Sequence, residues 1–369
     1  MEYSSKQYPV PAGVHIIPEH LLDLRSDSEV DYDLLHPRPV TDEKNIWLFW
    51  HSGYSIMHPY TKRNVRAWHR RFSKAGWIVR VVDRHPSSPL NIANFIDVND
   101  SNNFPQAFAE GTISGTYAKQ HTSDLVRLPL LLKYGGIYAD VGLIQIGDVD
   151  RLWRETVGNP DSRFEVLSYN AGDVSERSLT NYFLMSRRDN PLFERCHRLL
   201  LKLWEGNTST EGMHQSPLLK DLPLLTGTDN WDGPKYVAEH VYGIEFMQGS
   251  QLINDMTAWD GRKAFELMSL SLPKEGEEET AEQKQAREIV EACLKKSFGF
   301  KLAHGYILEV MNVTLGSLWR EHEGSDNVPG TYAHWLRHAI VHWSQDALPP
   351  TQPYTALEPI KRGPLLRAE

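Results

Sequence analysis

Cysteine is nearly absent: the 369 residues hold two, Cys196 and Cys293. Two thiols so far apart make neither a disulfide framework nor a structural zinc site, and they fit a reducing compartment. Long apolar runs are missing as well. No stretch approaches the roughly 20 apolar residues that cross a bilayer. Residues 1–30 lack the apolar core of about 7–15 residues that a secretory leader needs. The sequence therefore predicts a chain with no transmembrane segment that works in the cytoplasm. On that expectation the Asn-x-Ser/Thr triplets at Asn99, Asn207 and Asn312 are chance matches. Dense basic blocks are also lacking. Lys and Arg number 39 against 48 Asp and Glu, a formal charge of −9. Nucleic acid is recognised by clustered cations, so it is not an expected partner. No Walker loop, no GxGxxG and no GxSxG occurs, and there is no internal repeat.

Aromatic residues are plentiful: 11 Trp and 15 Tyr, beside 16 His. Flat ligands such as nucleobases, sugars and polycyclic acceptors suit aromatic surfaces, although a large aromatic core would explain the same counts. Residues 46–50 (IWLFW) form an apolar run bounded by charge and by His-Ser-Gly, the pattern of a buried parallel strand. Residues 59–75 place Val65, Trp68 and Phe72 at helical spacing, and 77–82 (WIVRVV) read as a second strand ending at Asp83. Strand, helix and strand in about 40 residues make a βαβ unit. A helix follows over 121–133, with Asp124 and Arg127 three apart on one face. Pro129 predicts a kink or break in it, and Gly135-Gly136 ends it. Further strands are expected at 137–139, 143–146, 164–168 and 182–185, and an amphipathic helix at 191–204. Residues 273–296 are charged and helical, the profile of a surface insertion. Residues 332–343 read as a helix or strand pair.

Alternating strands and helices predict an α/β fold. The expected organisation is an N-terminal arm over 1–44, one catalytic domain over 45–345, and a proline-rich tail over 346–369. Ligands of such sheets gather at the carboxyl ends of the strands, here Trp50-His51, Asp83 and Asp140.

The chemistry centres on residues 134–140 (YGGIYAD). Paired glycines let the backbone turn sharply and let another group approach closely. The short strand then presents Asp140 at its end. One carboxylate there suits a hard cation or a ribose hydroxyl; the plainer reading is a turn or cap residue. His334, His338 and His342 fall at i, i+4 and i+8 and would form one helical stripe. They lack the glutamate of HExxH, so a packed face from which His342 alone reaches the site is the better reading. Residues 205–212 (EGNTSTEG), followed by His214 and Gln215, would be either a loop over an acceptor or a plain surface loop.

Residues 123–140 (SDLVRLPLLLKYGGIYAD) closely resemble the signature of glycosyltransferases with a DXD sugar-binding motif, the group of α-1,6-mannosyltransferase-like and capsular-polysaccharide-synthesis-like enzymes. The match is dense over about twenty residues. Weaker similarity extends to 46–50, to Asp83, to 181–191 (NYFLMSRRDNP), to Gly233-Pro234 and to His342-Trp343. The resemblance implies a GT-A-like fold: a mixed, mainly parallel sheet flanked by helices, with helical additions. It implies a nucleoside-diphosphate sugar as donor and a small-molecule or glycan acceptor. Trp50, His51, Asp83, Asp124, Arg127 and Tyr138 would bind the donor. Asp140 and His342 would be catalytic and would hold a divalent cation, Mn²⁺ or Mg²⁺. His214, Gln215 and Trp343 would face the acceptor. One departure stands out: the triplet is Asp140-Val141-Gly142, so the second acid is missing. That leaves open donor binding without metal, a scaffold reused for other chemistry such as a cyclase or isomerase, and a protein that binds without turnover.

Overall fold

A computed structural model of the chain describes residues 8–115, 117–162, 164–171, 178–219, 267–301 and 325–348. The arm opens with strand β1 (Val14–Ile16) and helix α1 (Asp27–Leu35). Ser26 starts α1 with a capping box: its hydroxyl accepts from the Glu29 N–H, and the Glu29 carboxylate accepts from the Ser26 N–H. The expected βαβ unit follows as β2 (Asn45–Phe49), α2 (Pro59–Phe72) and β3 (Ile78–Val82), with β2 and β3 parallel from Asn45↔Ile78 to Phe49↔Val82.

A short α3 (Gln106–Ala109) leads to the long α4 (Ala118–Tyr134). Pro129 lies inside α4 and does not end it. Its ring removes only the bond to the Leu125 carbonyl, and the buried leucines around it keep the helix seated. After Gly135 come β4 (Gly136–Ala139), β5 (Leu143–Gln145), α5 (Val149–Glu155), β6 (Val166–Ala171) and β7 (Ser178–Ser186). Helix α6 (Pro191–Trp204) is followed by α7 (Ala281–Lys296), β8 (Gly299–Lys301), α8 (Tyr332–His342) and β9 (Trp343–Gln345). The charged stretch thus becomes helical only from Ala281, where Thr280 and Gln283 form a second capping box. Gly233-Pro234, Asn312 and the tail beyond Leu348 lie outside the described residues.

The central sheet has the order β3–β2–β4–β7–β6. β2 pairs parallel with β3 and β4, while β7 runs antiparallel to both β4 and β6. Four strands therefore share one direction and β7 opposes them, a mixed, mainly parallel sheet. Side chains alternate across it. Ile46, Leu48, Ile137 and Ala139 meet Val65, Trp68 and Trp153 on one face. Trp47, Phe49 and Tyr138 meet Leu125, Leu128 and Leu131 of α4 on the other. Burying each large side chain contributes about 1.5–3 kcal/mol, so both faces hold the strand ends rigidly. A third cluster gathers Tyr8, Ile144, Ile289, Trp335 and Trp343 around α7 and α8. No helix among the described residues is long and apolar enough to cross a membrane.

Candidate functional site

Asp140 is the first residue beyond β4. Its backbone N–H donates to the Tyr182 carbonyl and its carbonyl accepts from Leu143, both at 2.9 Å. The loop behind it is clamped from α2: the Asn64 amide donates to the Val141 and Leu143 carbonyls at 2.7 and 2.8 Å. Asp140 therefore stands on a fixed backbone, with its side chain one-fifth exposed.

Arg127 reaches this carboxylate from α4. Its Nη2 lies 2.6 Å from Asp124 Oδ1 and 3.6 Å from Asp140 Oδ1. Nη1 donates to the Asn181 carbonyl, and the guanidinium rests 4.8 Å from the Tyr138 ring centroid. The Asn181 amide also donates to Asp124, at 3.2 Å. Tyr138 is fully buried on β4 and its hydroxyl pairs with Ser123 Oγ at 2.7 Å. Burial raises the Tyr138 pKa, so the phenol stays neutral. The structure thus joins Asp124, Arg127, Tyr138 and Asp140 in one cluster, but Tyr138 has no exposed surface with which to bind a donor and instead supports Arg127 and Ser123 from beneath.

Separately, the ends of β2 and β3 and the start of α4 enclose a cleft of about 70 Å³, lined by His51, Arg84, Phe108, Lys119 and Thr122 among others; none of the cluster's side chains lines it. Arg84 stacks on Phe108, 4.3 Å from its ring centroid. Burial lowers the His51 pKa, and the Lys119 and Arg84 charges push it the same way. Phe108 is itself 1% exposed, covered by Arg84 and stacked on Phe104, so the side chains the cleft offers a ligand are His51 and the two cations Arg84 and Lys119.

The other expected site residues are placed differently. Trp50 packs partly buried against the core under the sheet and is not part of the cleft lining. Asp83 is 2% exposed. Its carboxylate accepts from Ser88 Oγ at 2.6 Å and the His85 N–H at 2.9 Å, so it closes the turn after β3. Its neighbour Arg84 supplies the cleft instead. Burial raises the Asp83 pKa against those hydrogen bonds.

His342 is not brought to Asp140. Down one face of α2, Asn64 holds Val141, Trp68 holds the Leu143 carbonyl, and Arg71 meets the carbonyls of Gln145 and Ile340. Two turns, about 10 Å, separate the first contact from the last. His342 lies at the lower end, stacked on His338 with ring centroids 4.2 Å apart. Burial, with help from Arg70, lowers its pKa to about 4. Trp343 is 1% exposed within the core and offers no acceptor surface. Gln215 is exposed in a short 3-10 turn; the His214 side chain lies outside what is described.

For a divalent cation the motif region offers Asp140 and, across Arg127, Asp124. Asp140 can supply one carboxylate, with substrate phosphates and water completing the shell. Among the described residues the only group of three potential ligands is Asp23, Asp33 and His69. There Arg25 Nη2 already lies 2.5 Å from both carboxylates, in the place a cation would take.

Several contributors were not singled out from sequence. His121 and Ser123 are one turn or less from Asp124, and helical spacing could have found them. Asn181 sits in a stretch quoted for its resemblance alone. Asn64, Arg84, Phe108 and Lys119 carry no local signal.

A family model described as capsular polysaccharide synthesis protein matches residues 15–212. The O-glycosyltransferase braB of Annulohypoxylon truncatum is 32% identical over 381 residues, covering 91% of this chain and 88% of that protein. The probable glycosyltransferase FCK3 of Fusarium pseudograminearum is 31% identical, covering 91% and 94%. The glycosyltransferase afumC of Aspergillus fumigatus is 32% identical, covering 87% and 90%.

Proposed function

The chain belongs to the capsular polysaccharide synthesis protein family and has named glycosyltransferases as relatives, and from that premise we propose that it moves a sugar from a nucleoside-diphosphate donor to a hydroxyl of a small-molecule or glycan acceptor. The observation that carries this reading is the Asp124–Arg127–Asp140 cluster at the end of β4, with a cleft that holds two cations at the ends of β2 and β3 of the same sheet. The cleft, at about 70 Å³, takes only an edge of the nucleoside as it stands; that edge meets His51, with Arg84 and Lys119 donating to its acceptor atoms. The sugar lies toward Asp124 and Asp140, whose carboxylates accept from its hydroxyls. Breaking the bond between the anomeric carbon and the phosphate oxygen leaves negative charge on the diphosphate. Fixed cations around the leaving oxygen stabilise that charge in the transition state. A divalent ion held by Asp140 and the donor phosphates would add to the same stabilisation.

The test is calorimetric titration of the full chain with a panel of nucleotide sugars, with Mn²⁺ and with EDTA, followed by transfer assays. A donor is expected to bind wild type, and Asp124→Asn is expected to lower transfer at least about tenfold. Asp23→Asn, at the far end of α2, should leave transfer unchanged. A folded chain that binds no nucleotide sugar overturns the reading. If the ion takes part, EDTA lowers transfer and Mn²⁺ restores it; transfer that ignores EDTA removes the ion and leaves the protein cations in charge.

A further inference from the structure

His121 stands between the motif and the loop over residues 205–212. Its Nδ1 lies 3.4 Å from Asp124 Oδ2, and its Nε2 lies 3.2 Å from Thr210 Oγ1. The loop is seated on the same side of α4. Ser114 donates its backbone N–H to the Thr208 carbonyl at 2.8 Å, and the two hydroxyls meet at 3.2 Å. The Trp204 ring, which ends α6, meets the imidazole edge-on with centroids 6.2 Å apart.

The proton positions follow from the partners. An ionised carboxylate only accepts, so His121 Nδ1 carries the hydrogen and donates it to Asp124. A neutral imidazole then has a lone pair on Nε2, and the Thr210 hydroxyl donates to it. Asp124 receives His121 on one oxygen, and Arg127 and the Asn181 amide on the other. His121 and Asn181 thus fix the rotation of a carboxylate that Arg127 alone would leave able to turn.

Resting on the sugar-transfer reading above, we propose that His121 is a positioning residue which couples the seating of the 205–212 loop to the orientation of Asp124. When the loop is down, Thr210 holds the imidazole in the Nδ1–H form. The imidazole in turn holds Asp124 in the geometry that meets the donor sugar. When the loop lifts, this relay is lost while Arg127 and Tyr138 stay in place on α4 and β4. Loop closure would then act on the chemical step, with little effect on nucleoside affinity.

Two readouts on the full chain test this. His121→Phe keeps the packing against Trp204 and removes both hydrogen bonds; Thr210→Val removes only the outer one. Each should lower kcat about tenfold with donor KM within about twofold. His121→Asn, which keeps a donor toward Asp124, and Thr210→Ser, which keeps the hydroxyl, should recover most of it. The second readout needs no turnover. Ring ¹⁵N shifts of His121, assigned by difference against His121→Phe, should show the Nδ1–H tautomer in wild type and a move toward Nε2–H in Thr210→Val. The proposal is overturned by an Nε2–H tautomer in wild type, by a loss confined to KM, or by four variants that fall alike with their thermal midpoints. Failure of sugar transfer by wild type, with the Nδ1–H tautomer present, would strike the functional reading and leave the relay standing.

Discussion

The Arg127 guanidinium divides its donors between Asp124 and the carbonyls of Asn181 and Ser123, and lies over the Tyr138 ring. Lysine can supply the charge, but it cannot supply a planar fork that serves several acceptors and a ring face at once. Arg127→Lys should therefore lower kcat/KM about 100-fold or more, with a small change in thermal midpoint, as steady-state kinetics and calorimetry would show. A variant that keeps its rate would reduce Arg127 to scaffolding. Asp124, Arg127, Tyr138 and Asp140 were legible in sequence because one helix, one turn and one short strand carry them all within 17 residues. Asn64 was not legible. A polar residue on an amphipathic helix normally marks the solvent face, yet this one is buried to clamp the backbone behind Asp140. Arg84 and Lys119 face the same cleft from elements 35 residues apart, and only the fold brings them together. His342 was misplaced for the opposite reason. The resemblance marked the residue but could not fix which end of α2 it would pack against.

At the scale of elements, the α4–β4 turn sets where the motif stands. Gly135 and Gly136 have φ of 66° and 99°, in the left-handed region. A Cβ on Gly136 would come within 2.3 Å of the Asn45 carbonyl oxygen and 2.6 Å of that of Glu43. β4 enters the sheet so close to the start of β2 that a hydrogen is all the space allows. Gly136→Ala should cost about 3 kcal/mol or more, combining backbone strain with a backbone clash. Urea unfolding would measure it, and a loss under about 1 kcal/mol would show that the two segments part easily. This turn was readable from its two glycines. The direction of β7 was not, because a run of alternating residues carries no sign that it will oppose its neighbours. Of the two outcomes expected at Pro129, a break is the one that does not occur: helix propensity is a weak local prior, and α4 is held by its buried leucines on the sheet.

Across the whole molecule, the arm and the late helix are packed together. Tyr8 donates to His334 Nδ1 at 2.5 Å and stacks on Trp335, while β1 pairs with β9 from Val14↔Gln345 to Ile16↔Trp343. The histidine stripe of α8 is closed in by these contacts. Burial lowers the His338 pKa to about 3 and the His342 pKa to about 4, and lowers that of His334 as well. An unfolded histidine takes its proton near the ordinary value of 6.5. Between that value and the folded ones the unfolded chain binds more protons, so stability is full above about pH 6.5 and falls as the pH drops toward 4. Buried carboxylates with lowered pKa values, Asp23 and Asp326 among them, work in a lower window: their contribution is lost only below about pH 4. Acid loosening above that point therefore belongs to the histidines, with buried His69 and His197 adding in the same direction. Each fully shifted histidine removes up to about 2 kcal/mol by pH 5, less for the partly exposed His342. Urea unfolding at about pH 7.5 and pH 5 should show a clear fall in stability. His338→Gln should flatten that slope by about one proton, because glutamine has no proton to gain. A stability unchanged over this range would mean that the stripe opens to water and titrates as free imidazole, and the close packing of the arm on α8 would go with it.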